Sequence, residues 1–234
     1  LEPSESWAIT VHGLSWAFKH WTDGARGAYL AFHDGRTLAV TVAPTKLTGG
    51  NAPLKRGAEP YPVPATPPEP VSIIPWPNHV SVSGRRSVPA GFTLVAAGTE
   101  AEEAAQAFTT LTEALFAVEG IVRPVSEGGL PVHLQLKDGL APEAYEIAFS
   151  PASVAISAST RNGLFYGLVT LGQIWRGARH FPDAYNFPSE GQISDAPSMA
   201  WRGLHLDVAR QFYGEAEIRK LLAILAWNKL NRFH

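Results

Sequence analysis

The chain has 234 residues, of which 45% are hydrophobic and 17% are charged, and its formal net charge is -2. This balance gives no reason to expect nucleic acid or an anionic membrane as a partner, and the absence of cysteine excludes disulfides and thiolate metal sites. No apolar run reaches the roughly 18 residues of a membrane-spanning helix, and Leu1 to Glu5 lack the basic and apolar regions of a signal peptide.

Residues 1–80 predict a β-rich segment that ends in a proline-rich linker. The runs Tyr29–Phe32 and Thr37–Val42 flank an Asp-Gly pair, which is typical of a tight hairpin. Ten of the 19 prolines lie between Pro44 and Pro77, which indicates an extended linker.

Four aromatic residues of this segment, Trp7, Trp16, Trp21 and Tyr29, have two interpretations. Their flat apolar rings could form a platform on which a sugar stacks. They could equally form the core of a small β domain, and this second interpretation is favoured because large aromatic side chains dominate cores.

Residues 81–197 predict a small α/β domain. The predicted strands are Phe92–Val95, Pro131–Leu136, Tyr145–Phe149 and Val154–Ala158. The Thr99-x-x-Glu102 spacing predicts a capping box at the start of a first helix. A second helix is predicted from about Asn162 to Trp175.

The second helix carries two glycines four residues apart, Gly163 and Gly167. Each costs a helix about 1 kcal/mol relative to alanine. We therefore expect that these positions let the helix lie close against the sheet.

Residues 198–234 predict one strand–helix–strand unit. Trp201–Val208 and Leu230–Phe233 are the predicted strands, and Gly214 opens the helix between them. The helix has an apolar stripe formed by Ile218, Leu221, Leu222 and Leu225. A lone parallel pair leaves an open strand edge, so the chain is expected to be the front part of a larger protein. The stripe is expected to be covered by a further C-terminal part, by self-association or by the α/β domain.

Three segments carry a family resemblance in the same order along the chain. Trp201–Arg210 and, after the helix, Asn228–His234 (Asn-Lys-Leu-Asn-x-Phe-His) resemble the opening of the catalytic barrel of family 20 glycoside hydrolases, the β-N-acetylhexosaminidases. Ile156–Ile174 is similar to the end of the α/β domain that precedes this barrel, and Ile193–Pro197 is similar to the connector. The resemblance covers roughly Val88 to His234.

The resemblance implies an α/β and α+β multidomain fold. Residues 1–80 are the β-rich N-terminal segment, residues 81–197 the small α/β domain, and residues 198–234 the first strand–helix–strand of a TIM (β/α)8 barrel. The parent enzyme is expected in the bacterial cytoplasm or periplasm. Its substrate would be a glycan that contains N-acetylhexosamine, and no cofactor or metal is expected.

The resemblance also implies a retaining mechanism in which the substrate's own 2-acetamido group is the nucleophile. In the family an aspartate orients that group and an adjacent glutamate is the general acid. No Asp-Glu dipeptide occurs in the 234 residues. We therefore expect no catalytic residue in this chain and no activity from the chain alone.

Arg202 is the predicted substrate-binding residue, since the resemblance implies that it binds hydroxyls at the non-reducing end of the sugar. The alternative is a structural arginine paired with a carboxylate, and Arg202 lies near the start of its strand, whereas barrel sites lie at the C-terminal ends. Asp207 and Arg210 are possible supporting residues, although a local ion pair between them is favoured. His234 matches the first histidine of the family's His-x-His segment. His205 is expected to pack on the outer face.

Two other functions stay open at this stage. One is another barrel glycosidase that shares the preceding domain, such as an O-GlcNAcase-like enzyme. The other is a non-catalytic module that only binds sugar or a partner chain.

Overall fold

The structure, a computed structural model, describes residues 29–39 and 70–234. The chain divides into two compact units, residues 1–64 and 65–234. The tryptophans Trp7, Trp16 and Trp21 and most of the predicted proline-rich linker lie outside the described residues.

A β-hairpin is the described part of the first unit. Strand β1 (Tyr29–Ala31) pairs antiparallel with β2 (Thr37–Ala39). Gly35 has a φ of 83°, which glycine adopts readily because it has no Cβ. The Asp-Gly hairpin that the sequence predicts is therefore confirmed.

The second unit is built on a six-stranded mixed sheet. Its strands are β3 (His79–Ser83), β4 (Phe92–Ala96), β5 (Leu130–Leu136), β6 (Tyr145–Phe149), β7 (Val154–Ala158) and β8 (Glu190–Asp195). They lie in the order β3-β8-β6-β7-β5-β4. The neighbours β4, β5 and β7 run parallel, and the other pairs are antiparallel. The four strands predicted for this region are all present, and β3 and β8 are additional.

Two helices, α1 (Thr99–Phe116) and α2 (Arg161–His180), contact each other and cover one face of this sheet. Alternate strand residues point toward them, so the burial along β6 follows the two-residue period of a strand. The largest fully buried side chains of this core include Trp175, Tyr145, Phe92, Phe108 and Phe187.

The helix ends differ from the predicted ones. The prediction of a capping box at Thr99 is wrong. The N-cap is Gly98, which has no side-chain cap, and Thr99 already lies in the first turn of α1. Helix α2 begins after Thr160, whose hydroxyl accepts a hydrogen bond from the amide of Gly163. It ends at His180, five residues beyond the predicted end at Trp175.

The two glycines of α2 face the sheet at short range. A Cβ atom built on Gly163 would lie 2.3 Å from the carbonyl oxygen of Ala144, and one built on Gly167 would lie 2.6 Å from Cγ2 of Ile156. Both distances are too short for a real side chain. The predicted close approach of this helix to the sheet is confirmed.

The last 36 residues form two short strands and a helix. Strand β9 (Gly203–Leu204) pairs in parallel with β10 (Arg232–Phe233), and α3 (Glu215–Trp227) connects them. Gly214 is the N-cap of α3, as the sequence predicts. Both strands are shorter than predicted, because only two residue pairs are in register between them.

Helix α3 packs on the α/β domain through a different face from the predicted stripe. Ala223, Ala226 and Trp227 contact the core, and the rings of Trp227 and Phe116 lie 4.9 Å apart. Of the stripe residues, Leu225 is buried, whereas Leu222 is 44% exposed. The α/β domain therefore covers this helix only in part.

The hydrophobic core of the second unit includes residues that precede strand β3. Strand β3 starts at His79, and Val71 and Ile73 are already part of the hydrophobic core. Of the helices in the described ranges, none is long and apolar enough to cross a membrane.

Candidate functional site

Arg202 connects the strand–helix–strand unit to the α/β domain. Its Nη1 atom lies 3.0 Å from Oε2 of Glu143 in an ion pair whose side chains are 17% and 18% exposed. Nη1 also donates to the carbonyl oxygen of Met199 at 2.8 Å, and Nε donates to that of Lys229 at 2.9 Å. Nη2 lies 3.3 Å from the hydroxyl of Tyr166. All three guanidinium nitrogens thus have protein acceptors.

Glu143 is the α/β-domain partner in this contact. Its backbone has a φ of 67°, which is uncommon for a residue with a side chain. Besides Arg202, its carboxylate accepts from the side-chain amide of Asn231 at 3.2 Å and from the hydroxyl of Tyr166 at 3.3 Å. Burial raises the pKa of Glu143, but the hydrogen bonds and the charge of Arg202 outweigh this effect and leave the pKa below its ordinary value.

A second polar group lies beside the first and is centred on the hydroxyl of Tyr145. This hydroxyl lies 2.7 Å from Oγ1 of Thr170, donates to Oδ2 of Asp195 at 3.1 Å and accepts from Nζ of Lys229 at 3.0 Å. Burial lowers the pKa of Lys229 to about 8, although the charge of Asp195 opposes the shift. Burial and the charge of Asp195 raise the pKa of Tyr145 well above its ordinary value.

These two polar groups border a cavity of about 500 Å³. It lies between the segment around Trp76, the end of β8 and the residues that begin β9 and β10. The indoles of Trp76 and Trp201 line it and are 42% and 65% exposed. The cavity therefore joins exposed aromatic surface to buried charged groups.

Asp207 and Arg210 follow the C-terminal end of β9, and both are exposed. Oδ1 of Asp207 accepts from the amide of Ala209 at 2.8 Å, which closes a local turn. Of the ion pairs formed within residues 29–39 and 70–234, none joins Asp207 to Arg210. The local ion pair favoured from the sequence is therefore wrong, because the carboxylate bonds to the backbone instead.

His205 and His234 come together across the two parallel strands, and their Nδ1 atoms lie 2.6 Å apart. Both histidines are exposed, so the prediction that His205 is packed is wrong. In the part of the chain that the structure describes, no group of three His, Cys, Asp or Glu side chains could hold a metal ion.

The sequence reasoning missed two charged residues of this region, Lys229 and Glu143. Lys229 follows the end of α3 and is only 5% exposed. The one signal in the sequence is its position between the apolar residues Trp227 and Leu230, which Asn228 interrupts. Glu143 has no comparable signal, because it follows Pro142 in a connection between strands.

Comparison with known proteins places these elements in a family. The model for "Glycosyl hydrolase family 20, domain 2" matches residues 70–196, and that for "Glycosyl hydrolase family 20, catalytic domain" matches residues 199–234. The chain belongs to glycosyl hydrolase family 20. The first match covers the six-stranded sheet with its two helices, and the second covers the unit that contains Arg202.

Bacterial β-hexosaminidases are among the relatives of this chain. The chain is 28% identical over 231 residues to the β-hexosaminidase of Vibrio furnissii, which covers 97% of this chain and 35% of that protein. It is 36% identical over 120 residues to the β-N-acetylhexosaminidase of Cellulomonas fimi, which covers 48% of this chain and 24% of that protein. The chain thus spans about a third or less of the length of these relatives.

Solved structures of the family have the same fold. An exo β-N-acetylglucosaminidase of Vibrio harveyi, an inactive mutant, superposes with a TM-score of 0.58 at 26% identity, over 93% of this chain and 33% of that one. A mutant Streptomyces plicatus β-hexosaminidase, in complex with the product GlcNAc, superposes with a TM-score of 0.54 at 27% identity. The superposition covers 73% of this chain and 35% of that one.

Proposed function

We propose that the whole protein is a β-N-acetylhexosaminidase that removes terminal N-acetylhexosamine from a glycan with retention of configuration. The observation that carries this proposal is the match of residues 199–234 to the family's catalytic domain, directly after its domain 2. The substrate's 2-acetamido group would act as the nucleophile, as is usual for this family.

The unit β9–α3–β10 is, in this proposal, the first strand–helix–strand of a TIM barrel. Two parallel strands joined by a crossover helix are the repeating element of that fold. The parallel register of Gly203 with Arg232 and of Leu204 with Phe233 supports this assignment. The α/β domain would precede the barrel from about residue 70.

The proposed roles of the charged residues follow from their position along β9. Barrel active sites lie at the C-terminal ends of the strands, where Asp207 and Arg210 are exposed. We infer that Arg210 presents its planar fork of donors to sugar hydroxyls, with Asp207 and His234 nearby as supporting residues. Sugar contact by Arg202 stays a prediction. Its bonds to Glu143 and to two backbone carbonyls support the structural alternative, an anchor between the domains.

Hydrolysis of 4-nitrophenyl N-acetyl-β-D-glucosaminide tests the proposal. The protein extended through the family's catalytic domain should release nitrophenol and N-acetylglucosamine with retained configuration, which NMR detects. Residues 1–234 alone should give no turnover, because the sequence has no Asp-Glu pair. Turnover by residues 1–234 that scales with protein concentration would refute the assignment of the catalytic pair. An inactive extended protein would favour the non-catalytic module.

A further inference from the structure

The cavity between the α/β domain and the start of β9 and β10 has the composition of a small-molecule site. Binding pockets are mostly apolar, with a few convergent polar groups. Here the indoles of Trp76 and Trp201 stand at the exposed rim, and Tyr145 and Lys229 lie at the buried end. Its volume of about 500 Å³ suffices for one or two sugar rings.

The charges around the cavity cancel. Glu143 and Arg202 neutralise each other in their ion pair at 3.0 Å, and Asp195 and Lys229 are a second opposite pair that lines the same space. The charge of an ionic ligand would therefore have no free counter-charge in this poorly solvated site. The lining therefore fits a neutral molecule.

Lys229 indicates that this molecule must offer oxygen atoms. The residue is only 5% exposed, and an ammonium has three donor hydrogens. Among the described residues its nitrogen has one hydrogen-bond partner, the hydroxyl of Tyr145. A buried donor without an acceptor is costly, so the cavity favours a hydroxyl-rich occupant over an apolar protein side chain.

Backbone strain concentrates at the same place. Among the described residues, the non-glycine positions with positive φ are Glu143, at 67°, and Lys229, at 58°, and both line the cavity. Strained backbone of this kind persists only where the surroundings hold it, and it clusters at ligand sites. Five ionisable groups of the described residues have shifted pKa values, and four of them also line the cavity, namely Glu143, Tyr145, Tyr166 and Lys229.

We propose that this cavity binds a neutral sugar ring. The indole of Trp201 would pack against the apolar C–H face of the ring, since a flat apolar aromatic surface matches that face. Hydroxyl or acetamido oxygens of the sugar would accept hydrogen bonds from the Lys229 ammonium. The side chain of Asp195 would accept from a sugar hydroxyl. This binding requires no hydrolysis and is independent of the catalytic residues proposed for the whole protein.

Ligand-observed saturation-transfer NMR on residues 1–234 tests the proposal, with N-acetylglucosamine as the probe. We expect saturable binding that weakens at least about tenfold in Trp201→Ala and in Lys229→Met, which remove the stacking surface and the charged donor. The matched control is Lys220→Met, which removes a lysine from the exposed side of α3 and should leave binding unchanged.

Two charged probes extend the test. Glucosamine as a cation and glucuronate as an anion should bind more weakly than N-acetylglucosamine. Thermal melting of each variant checks its fold. If Lys229→Met fails to fold, the proposal is tested by the binding of N-acetylglucosamine to Trp201→Ala, since Trp201 is exposed. Absence of saturation transfer from N-acetylglucosamine, or binding unchanged in Trp201→Ala, overturns the proposal. Hydrolysis by the extended protein is measured separately, so failure here leaves the proposed enzyme function intact.

Discussion

At the scale of single residues, two arginines on either side of β9 have opposite surroundings. Arg202, before the strand, has its guanidinium nitrogens bonded to Glu143, to two backbone carbonyls and to Tyr166. Arg210, after the strand, is exposed. A guanidinium that already has protein acceptors contributes to the fold, whereas an exposed one is able to bind a substrate.

Alanine substitutions in the extended protein should separate these roles. Arg210→Ala should lower kcat/KM by about a hundredfold, because charge-assisted hydrogen bonds are worth roughly 1.5–3 kcal/mol each, and should leave the Tm nearly unchanged. Arg202→Ala should lower the Tm, because it leaves the carboxylate of Glu143 half-buried without its cation. Kinetics and thermal melting on the same preparations check both.

The opposite result for Arg202 would support the prediction from the family resemblance, namely that Arg202 binds the sugar. In that case Arg202→Ala would keep a normal Tm and lose kcat/KM. Glu143→Gln serves as the matched variant on the α/β side, since it should reproduce the loss of Tm only if the ion pair is structural.

Lys229 predicts a pH dependence of stability in the alkaline range. Burial lowers its folded-state pKa to about 8, below an unfolded value of about 10.4. Between these values the unfolded chain binds one more proton than the folded one, so the free energy of unfolding should rise as the pH increases from about 8 to about 10. Urea denaturation measures this slope. Lys229→Met should remove it, and a slope unchanged in this variant would contradict the assignment.

At the scale of secondary structure, α2 contains residues of low helix propensity that allow close packing against its neighbours. Its glycines at 163 and 167 weaken the isolated helix, yet they bring its backbone against Ala144 and Ile156. Helix propensity is a weak preference that tertiary packing overrides, and here the sheet requires the close approach.

Gly163→Ala should therefore destabilise the protein, although the same change stabilises an exposed helix. The added Cβ would lie 2.3 Å from the Ala144 carbonyl oxygen, and the required shift should lower the free energy of unfolding by roughly 1–3 kcal/mol. Urea denaturation measures the change. The neighbouring exposed residue offers a control, since Asn162→Ala should stay within about 0.5 kcal/mol of the wild type. A stabilised Gly163→Ala protein would show that the helix does not approach the strand this closely.

At the scale of the whole molecule, α3 retains apolar surface that the α/β domain does not cover. Leu222 is 44% exposed and Ile224 is 41% exposed on the same helix. Burial of such a side chain is worth about 1.5–3 kcal/mol. Packing on its own α/β domain, one of three outcomes expected for this helix, is thus present only in part.

We expect residues 1–234 to self-associate through the apolar side chains of α3 that stay exposed. The double change Leu222→Glu and Ile224→Glu should shift the population toward monomer in light scattering at a fixed protein concentration. Val118→Glu is the control, because Val118 is 99% exposed and lies outside α3, after the end of α1. A wild-type monomer at all concentrations tested would contradict the expectation.

The sequence by itself determined the family and the order of those elements that have a local signal. The hairpin at Asp34-Gly35, the strands that precede and follow Ser150-Pro151, and the helix after Gly214 all have local signals, either turn chemistry or apolar periodicity. Such signals are read within a few residues, so no long-range information is needed. The same holds for the segments around Trp201 and Asn228, which identify the family from short motifs.

Only the tertiary structure decided which charged groups meet. Glu143 and Arg202 are 59 residues apart in sequence, and Tyr145 and Lys229 are 84 apart. Nothing in the local pattern around Glu143 or Lys229 indicates which residue is the partner. The reason is physical. Burial and pairing of a charge depend on which surfaces pack together, here the end of the α/β sheet and the start of two parallel strands, and that packing arises from the whole fold.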